Sequence, residues 1–166
     1  MKCFRCKRAD MVTEVGMVDY TFSGLPYEVI LVNAPVQRCP SCGEQVDAVP
    51  RPDELHRVLG LHIVEQAGRL VGAEVRFLRK LLNWSAKDLA NVFGVDAKTV
   101  SRWENDKDPM GPVSERLLRL LVRDLEPVDG GTASWVMQSF PALSQAQGRH
   151  GPIRLEACDG RWSVAA

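Results

Sequence analysis

Residues 85–105 read SAKDLANVFGVDAKTVSRWEN. Apolar residues recur at helical spacing on both sides of a short break, Leu89, Val92 and Phe93 before it and Val100 and Trp103 after it. The break is Gly94, Val95 and Asp96. Two short helices joined this tightly must cross steeply, which is the geometry of a helix-turn-helix, and the second helix of such a pair can lie in the major groove of DNA. Ala90 is small enough to let the helices approach, Gly94 tolerates a positive φ in the turn, and Val100 fills the space between them. Ser85 is placed to cap the first of the two helices with Asp88 completing a capping box, and Asp96 to cap the second.

Outward from this stretch, residues 73–84 are expected to form a preceding helix with Val75, Leu78 and Leu82 inward and Asn83 as a left-handed terminator. A polar break over 106–112 separates the pair from a last helix over 113–125, expected to bury Val113, Leu117, Leu120, Leu121 and Leu125. Pro50, Arg51 and Pro52 mark a boundary, after which a helix begins at Asp53. Its stripe is Leu55, Val58, Leu59, Leu61, His62, Ile63 and Gln66. His56 and His62 are six residues apart, do not share a face as a metal-binding pair, and read as surface histidines. Gly68 and Gly72 read as a loose join.

Residues 1–50 open with Cys3-Phe4-Arg5-Cys6 and close near Cys39-Pro40-Ser41-Cys42-Gly43. Two residues between thiolates let one tight turn present both sulfurs to one ion, and two such turns complete a tetrahedral zinc shell. A redox pair would need only one such motif in a βαβ context. Four thiolates close the shell, so one Zn²⁺ is expected to be structural. Between the knuckles, residues 17–22 and 27–32 are β-prone and separated by Ser23, Gly24, Leu25 and Pro26, so a hairpin is expected. Apart from the ligands this segment carries five basic against six acidic residues, which suits protein docking better than DNA binding.

The charge of the whole chain is balanced, 21 basic against 21 acidic residues, so any DNA contact must come from a local patch and from helix N-termini. The longest apolar runs are too short to span a membrane and the N-terminus lacks a signal-type apolar stretch, so a cytoplasmic protein is expected. The only histidines, His56, His62 and His150, stand beside no evident nucleophile, and there is no phosphate-binding glycine loop, so no enzyme is expected.

With two CxxC pairs, a connecting helix, the run VRFLRKLLNWSAKDLANVFGVDAKTVSRWENDKDP and a Leu-rich last helix, residues 1–126 resemble the YgiT/MqsA-type family of zinc-finger plus HTH-XRE proteins. The resemblance implies an α+β chain: a zinc ribbon over 1–50, a connecting helix over 51–71 and a lambda-repressor-like HTH-XRE domain over 72–126. It also implies either an antitoxin that binds a ribonuclease toxin through its ribbon and represses its own operon as a dimer, or a stand-alone regulator whose ribbon binds another protein. It further implies that Arg79 and Glu104 pair to tie the recognition helix to its scaffold. Similar proteins often carry Gln where this chain has Ala86, which leaves Lys87 and the helix N-terminus to supply the phosphate site.

On the recognition helix the groove-facing candidates are Ala97, Lys98, Ser101, Arg102 and Asn105, on the face opposite Val100 and Trp103. Arg102 is the strongest base reader, since a guanidinium can grip guanine O6 and N7 together, worth about 1–3 kcal/mol of discrimination. Thr99 and Lys107 are expected at phosphates. A dimer on a near-palindromic double-stranded operator is expected, because one helix reads only a few base pairs.

Residues 127–166 fall outside the resemblance. Trp135, Val136 and Phe140 stand as isolated apolar anchors, and residues 153–166 read as a β-hairpin about Asp159-Gly160. Pairing across that turn sets Ala157 against Trp162, Leu155 against Val164 and Ile153 against Ala166 on one face. That face should dock on the helix-turn-helix domain, a dimer mate or another protein, because a lone hairpin is marginal. Cys158 reads as an ordinary thiol.

Overall fold

The computed structural model describes residues 1–20, 23–47, 49–124, 151–158 and 161–165. Trp135, Val136, Phe140, Leu125, Asp159, Gly160 and Ala166, and the side chain of Cys158, lie outside the described residues. Among the described residues the fold is α+β, with three N-terminal strands, five helices and a C-terminal pair of strands.

The N-terminal hairpin is longer than the β-prone runs suggested. β1 (Val12–Asp19) and β2 (Val29–Arg38) pair antiparallel along the whole of β1, so the strands reach the cysteine knuckles at their far ends. Between Gly16 and Val18 the register shifts, and the extra residue falls in β2 beside Asn33, whose φ is +54°. Asn tolerates this conformation better than most residues, and a bulge bends the strand. Beyond the bulge, the edge of β2 away from β1 takes two different neighbours. β3 (Gln45–Asp47) pairs antiparallel with residues 36–38, and β4 (Ile153–Cys158) pairs parallel with residues 29–32. Pro35, which has no N–H to donate, lies in the gap between them.

β4 and β5 (Arg161–Val164) form the expected C-terminal hairpin with Leu155 against Val164 and Ala157 against Trp162. Within the chain its place is beside β2, not on the helix-turn-helix stretch expected for it. It joins the N-terminal sheet, giving the order β1-β2-β4-β5, and Trp162 is buried, its Nε1 donating to the Pro50 carbonyl at 2.8 Å. A two-stranded hairpin stabilises poorly alone, so it gains by completing the unsatisfied edge of β2.

α1 (Pro52–Glu65) begins with Pro at its first turn and Asp53 and Glu54 at its positive end, and buries Leu55, Leu59, Gly60, Ile63 and Val64. His56 is not on the open surface. It shares a 2.7 Å hydrogen bond with Tyr20 and stands edge-on to Phe77 at 5.8 Å, so burial lowers its pKa against the raising effect of Asp53. α2 (Gly72–Leu81) follows, with Asn83 at φ +57° as the expected terminator.

The join before α2 is not loose. Gly72 is buried, and a Cβ there would stand 2.5 Å from the carbonyl oxygen of Trp103, a backbone atom that cannot turn aside. The adjacent turn is tied down by Glu74, fully buried, which accepts from the Val71 N–H and from the Tyr27 hydroxyl of the hairpin. Gly68, at φ +92°, offers its carbonyl to Arg119.

α3 (Ala86–Phe93) and α4 (Ala97–Glu104) are joined by Gly94 at φ +65°, Val95 and Asp96. Leu89, Ala90, Val100 and Trp103 are buried, whereas Val92 is half exposed and drops out of the expected apolar set. Ser85 and Asp88 form the capping box, and Asp96 accepts from the Thr99 N–H at 2.6 Å.

α5 (Pro112–Arg123) departs most from the sequence expectation. Val113 is 78% and Leu117 38% exposed, and Leu120 and Leu121 are only half-buried; the buried face is Glu115, Leu118, Arg119 and Val122. A helix with apolar residues on two sides offers two stripes, and a buried ion pair selects the second. Arg119 is 1% exposed, pairs with Glu115 four residues away, and donates to the carbonyls of Val64, Gln66 and Gly68. It thereby satisfies carbonyls left over where α1 ends.

Candidate functional site

Two groups of residues stand out as chemistry-bearing, one at the open end of the β1–β2 hairpin and one along α4. The first is the four cysteines. Each knuckle is a turn closed by its own backbone: the Lys7 N–H donates to the Cys3 carbonyl at 3.0 Å, and the Gly43 N–H to the Cys39 carbonyl at 2.9 Å. Lys7 and Gly43 occupy equivalent positions after the second cysteine and both have positive φ, +56° and +73°. The knuckles are bridged by Arg5 and Glu44, 2.7 Å apart.

The four sulfurs lie within 4.8 Å of one another. Cys3 and Cys42 are 3.7 Å apart and Cys6 and Cys39 3.6 Å. A disulfide needs about 2.05 Å, so these are not bonded pairs. A tetrahedral ion with sulfur at about 2.3 Å has sulfur–sulfur edges of about 3.8 Å, close to both separations. Cys3 and Cys39 are buried while Cys42 is exposed. The backbone N–H of Arg8, opposed by burial, leads the groups that hold the Cys6 thiol down at about 6. The Cys6 N–H does the same for Cys3, which is also lowered. Cys42 is pushed up to about 12: the Glu44 N–H lowers it, but burial and the hydrogen bonds shared with the other three thiols outweigh that. The donor set and spacing fit one thiophilic metal ion with no open position.

The second group lies on α4. Ala97, Lys98, Ser101 and Arg102 are exposed, Thr99 is half-buried, and Val100 and Trp103 face inward, Trp103 against the edge of Phe93 at 6.5 Å. Lys87, near the start of α3, and Lys107, after α4, are exposed too. Asn105 is engaged by the protein itself: it donates to the Ser101 carbonyl at 2.7 Å and accepts from Arg76 at 3.1 Å.

Glu104 is buried and meets Arg79 through two contacts, 2.5 Å from Nε and 3.2 Å from Nη2; Arg79 also donates to the Trp84 carbonyl at 2.7 Å. Arg76 joins the same carboxylate at 3.4 Å and the Glu104 carbonyl at 3.0 Å. Sequence reasoning missed Arg76, although it stands three residues before Arg79 on the same face of α2. It also missed Asp106 and Asp108, grouped with the polar break. Asp106 accepts from the Gly72 N–H at 2.6 Å, and Asp108 takes the guanidinium of Arg102. The Arg102 contact holds the Asp108 carboxyl below its usual range, and Asp108 in turn raises Arg102.

Residues 1–129 match the family model described as the antitoxin component of bacterial toxin-antitoxin system, MqsA. The chain belongs to that family. No curated protein matches it. The family match ends before β4 and β5, so the hairpin that completes the sheet is an addition to the matched region. No helix among the described residues is long and apolar enough to cross a membrane.

Proposed function

We propose that this chain is the antitoxin of a type II toxin–antitoxin pair and represses its own operon, with a structural zinc ion on Cys3, Cys6, Cys39 and Cys42. The observation that carries the DNA-binding half is the division of α4: Val100 and Trp103 are buried while Ala97, Lys98, Ser101 and Arg102 face out. A short helix with its inner face locked and an outer face of small and basic residues fits the major groove. α3, α4 and the turn between them then act as a helix-turn-helix of the HTH-XRE kind. Lys98 and Arg102 carry most of the base contact, and Thr99, Lys87 and Lys107 serve phosphates. Asn105, already bonded to Ser101 and Arg76, closes the end of the helix more than it reads bases. Arg79 and Glu104, with Arg76, brace α4 against α2, and Gly94 sets the angle between α3 and α4.

A single α4 reads too few base pairs for operator specificity, so the chain works as a homodimer on a near-palindromic site in double-stranded DNA. Val113 and Leu117, left exposed on α5, supply apolar surface for that pairing. The cysteine-bearing segment, with five basic against six acidic residues before the −2 of a zinc ion held by four thiolates, is acidic and suits a basic ribonuclease toxin as partner. Family membership favours this over a stand-alone regulator.

Footprinting on DNA upstream of its own gene should reveal two protected half-sites. Arg102→Ala should reduce discrimination at one base position per half-site by about 1–3 kcal/mol. An Arg102→Ala protein with unaltered sequence preference would contradict the assignment. For the toxin half, the neighbouring reading frame expressed alone should arrest growth and should co-purify with this chain when the two are expressed together.

A further inference from the structure

Arg102 is held side-on by Asp108, six residues downstream: Nε donates to one carboxylate oxygen, and Nη2 to the other at 3.0 Å. The turn carrying Asp108 is fixed independently of this pair. The N–H groups of Lys107 and Asp108 both donate to the Arg102 carbonyl, at 2.9 and 3.4 Å. Asp106, at φ +53°, anchors the turn from the other side by accepting from the Gly72 N–H at the start of α2. Backbone geometry therefore delivers the Asp108 carboxylate to the guanidinium.

A two-point contact fixes the plane of a guanidinium as well as its position. Of the five N–H groups of arginine, the one on Nε and one on Nη2 are taken, leaving both on Nη1 and the outer one on Nη2. That outer edge is a fork able to bridge guanine O6 and N7. The pair also has no net charge, so it adds little attraction for phosphates in general.

Resting on the reading of α4 as the recognition helix, we infer that Asp108 is a positioning residue that aims the Nη1/Nη2 edge of Arg102 at a guanine in the major groove. In doing so it keeps Arg102 from acting as a general phosphate binder. Exposed ion pairs contribute little to stability, so Asp108 should matter to recognition without mattering to folding.

The test uses the full-length, metal-loaded chain as wild type, Asp108→Asn, Arg102→Ala and the double variant. Each is titrated against the footprinted operator, single-base substitutions of it and random duplex, across 50–200 mM salt, with melting temperatures measured alongside. Asp108→Asn should melt with the wild type and bind random duplex more tightly. The slope of log affinity against log salt should steepen by about one phosphate contact. Asp108→Asn should also lose roughly ten-fold of the discrimination at the guanine that Arg102→Ala abolishes, and the double variant should lose no more than Arg102→Ala alone. Equal tightening on all sequences with discrimination intact would make Asp108 a competitor for Arg102 and overturn the inference. An unchanged Asp108→Asn protein would overturn it as well. Arg102→Ala with full discrimination would instead overturn the recognition-helix reading on which it rests.

Discussion

Replacing Arg119 with Met keeps the length of the side chain and removes the guanidinium from a site that is 1% exposed. In the native chain that group donates to the carbonyls of Val64 at 2.7 Å, Gln66 at 3.1 Å and Gly68 at 2.7 Å, and to Glu115 at 2.8 and 3.2 Å. Breaking a buried ion pair by removing one partner costs about 3–5 kcal/mol, since the other charge stays behind. Glu115 retains the Leu70 N–H at 3.1 Å and the half-exposed Arg69 at 3.6 Å, which places the expected loss near the lower end, about 3 kcal/mol. With a urea dependence of about 2 kcal/mol per molar, the unfolding midpoint should fall by about 1.5 M. Urea titration of the metal-loaded chain followed by circular dichroism gives this shift directly. Arg119→Met with Glu115→Leu should recover part of the loss, because the stranded charge is gone while the three carbonyls and the Leu70 N–H lose their partners. A midpoint shift corresponding to less than about 1 kcal/mol for the single variant would refute the claim that this pair locks α5 to the end of α1.

Two further outcomes concern the metal and the pH response. Cys42→Ser, or treatment with a strong chelator, should remove one equivalent of zinc and unfold the hairpin end around the knuckles. Structural zinc contributes roughly 10–16 kcal/mol in small domains, comparable to the entire stability of a typical one, so an unchanged near-ultraviolet spectrum after metal loss would count against the site. His56 is held neutral by burial beside Tyr20 and Phe77, so its folded pKa lies below its unfolded value of 6.5. Its contribution is complete above that unfolded value and is lost as pH falls below 6.5 toward the folded pKa, where the unfolded chain binds the extra proton. Denaturant midpoints measured between pH 7.5 and 5 should decline more steeply for the wild type than for His56→Gln; parallel curves would mean that His56 does not titrate between the two states.

Residues 85–105 were legible in the chain because every device there is local. Ser85 and Asp88, Asp96 and Thr99, and Gly94 in its left-handed turn act across a few residues, and a capping residue needs only the helix it caps. The four cysteines were legible for a related reason: each knuckle is a four-residue turn whose thiols share a chemistry that needs company, so two pairs point to one another across any distance. The register of the C-terminal hairpin followed from the Asp159-Gly160 signal in the sequence and the alternation of the flanking strands.

Tertiary structure decided whatever depended on which of several competent surfaces found a neighbour. α5 carries two apolar stripes, and the one that turned inward was selected by Arg119 meeting carbonyls more than fifty residues earlier in the chain. The C-terminal hairpin carries a good face and an open edge, and it was β2, bent at Asn33 with an unpaired edge, that received it. Gly72 looks like slack in the sequence, yet the close approach of the Trp103 carbonyl demands a residue without a Cβ. The four thiols and the α3–α4 turn could be read from the chain because short-range hydrogen bonds and ligand chemistry fix them. The partners of Arg119, β4 and Arg102 could not, because packing chooses among contacts that the sequence alone leaves equally open.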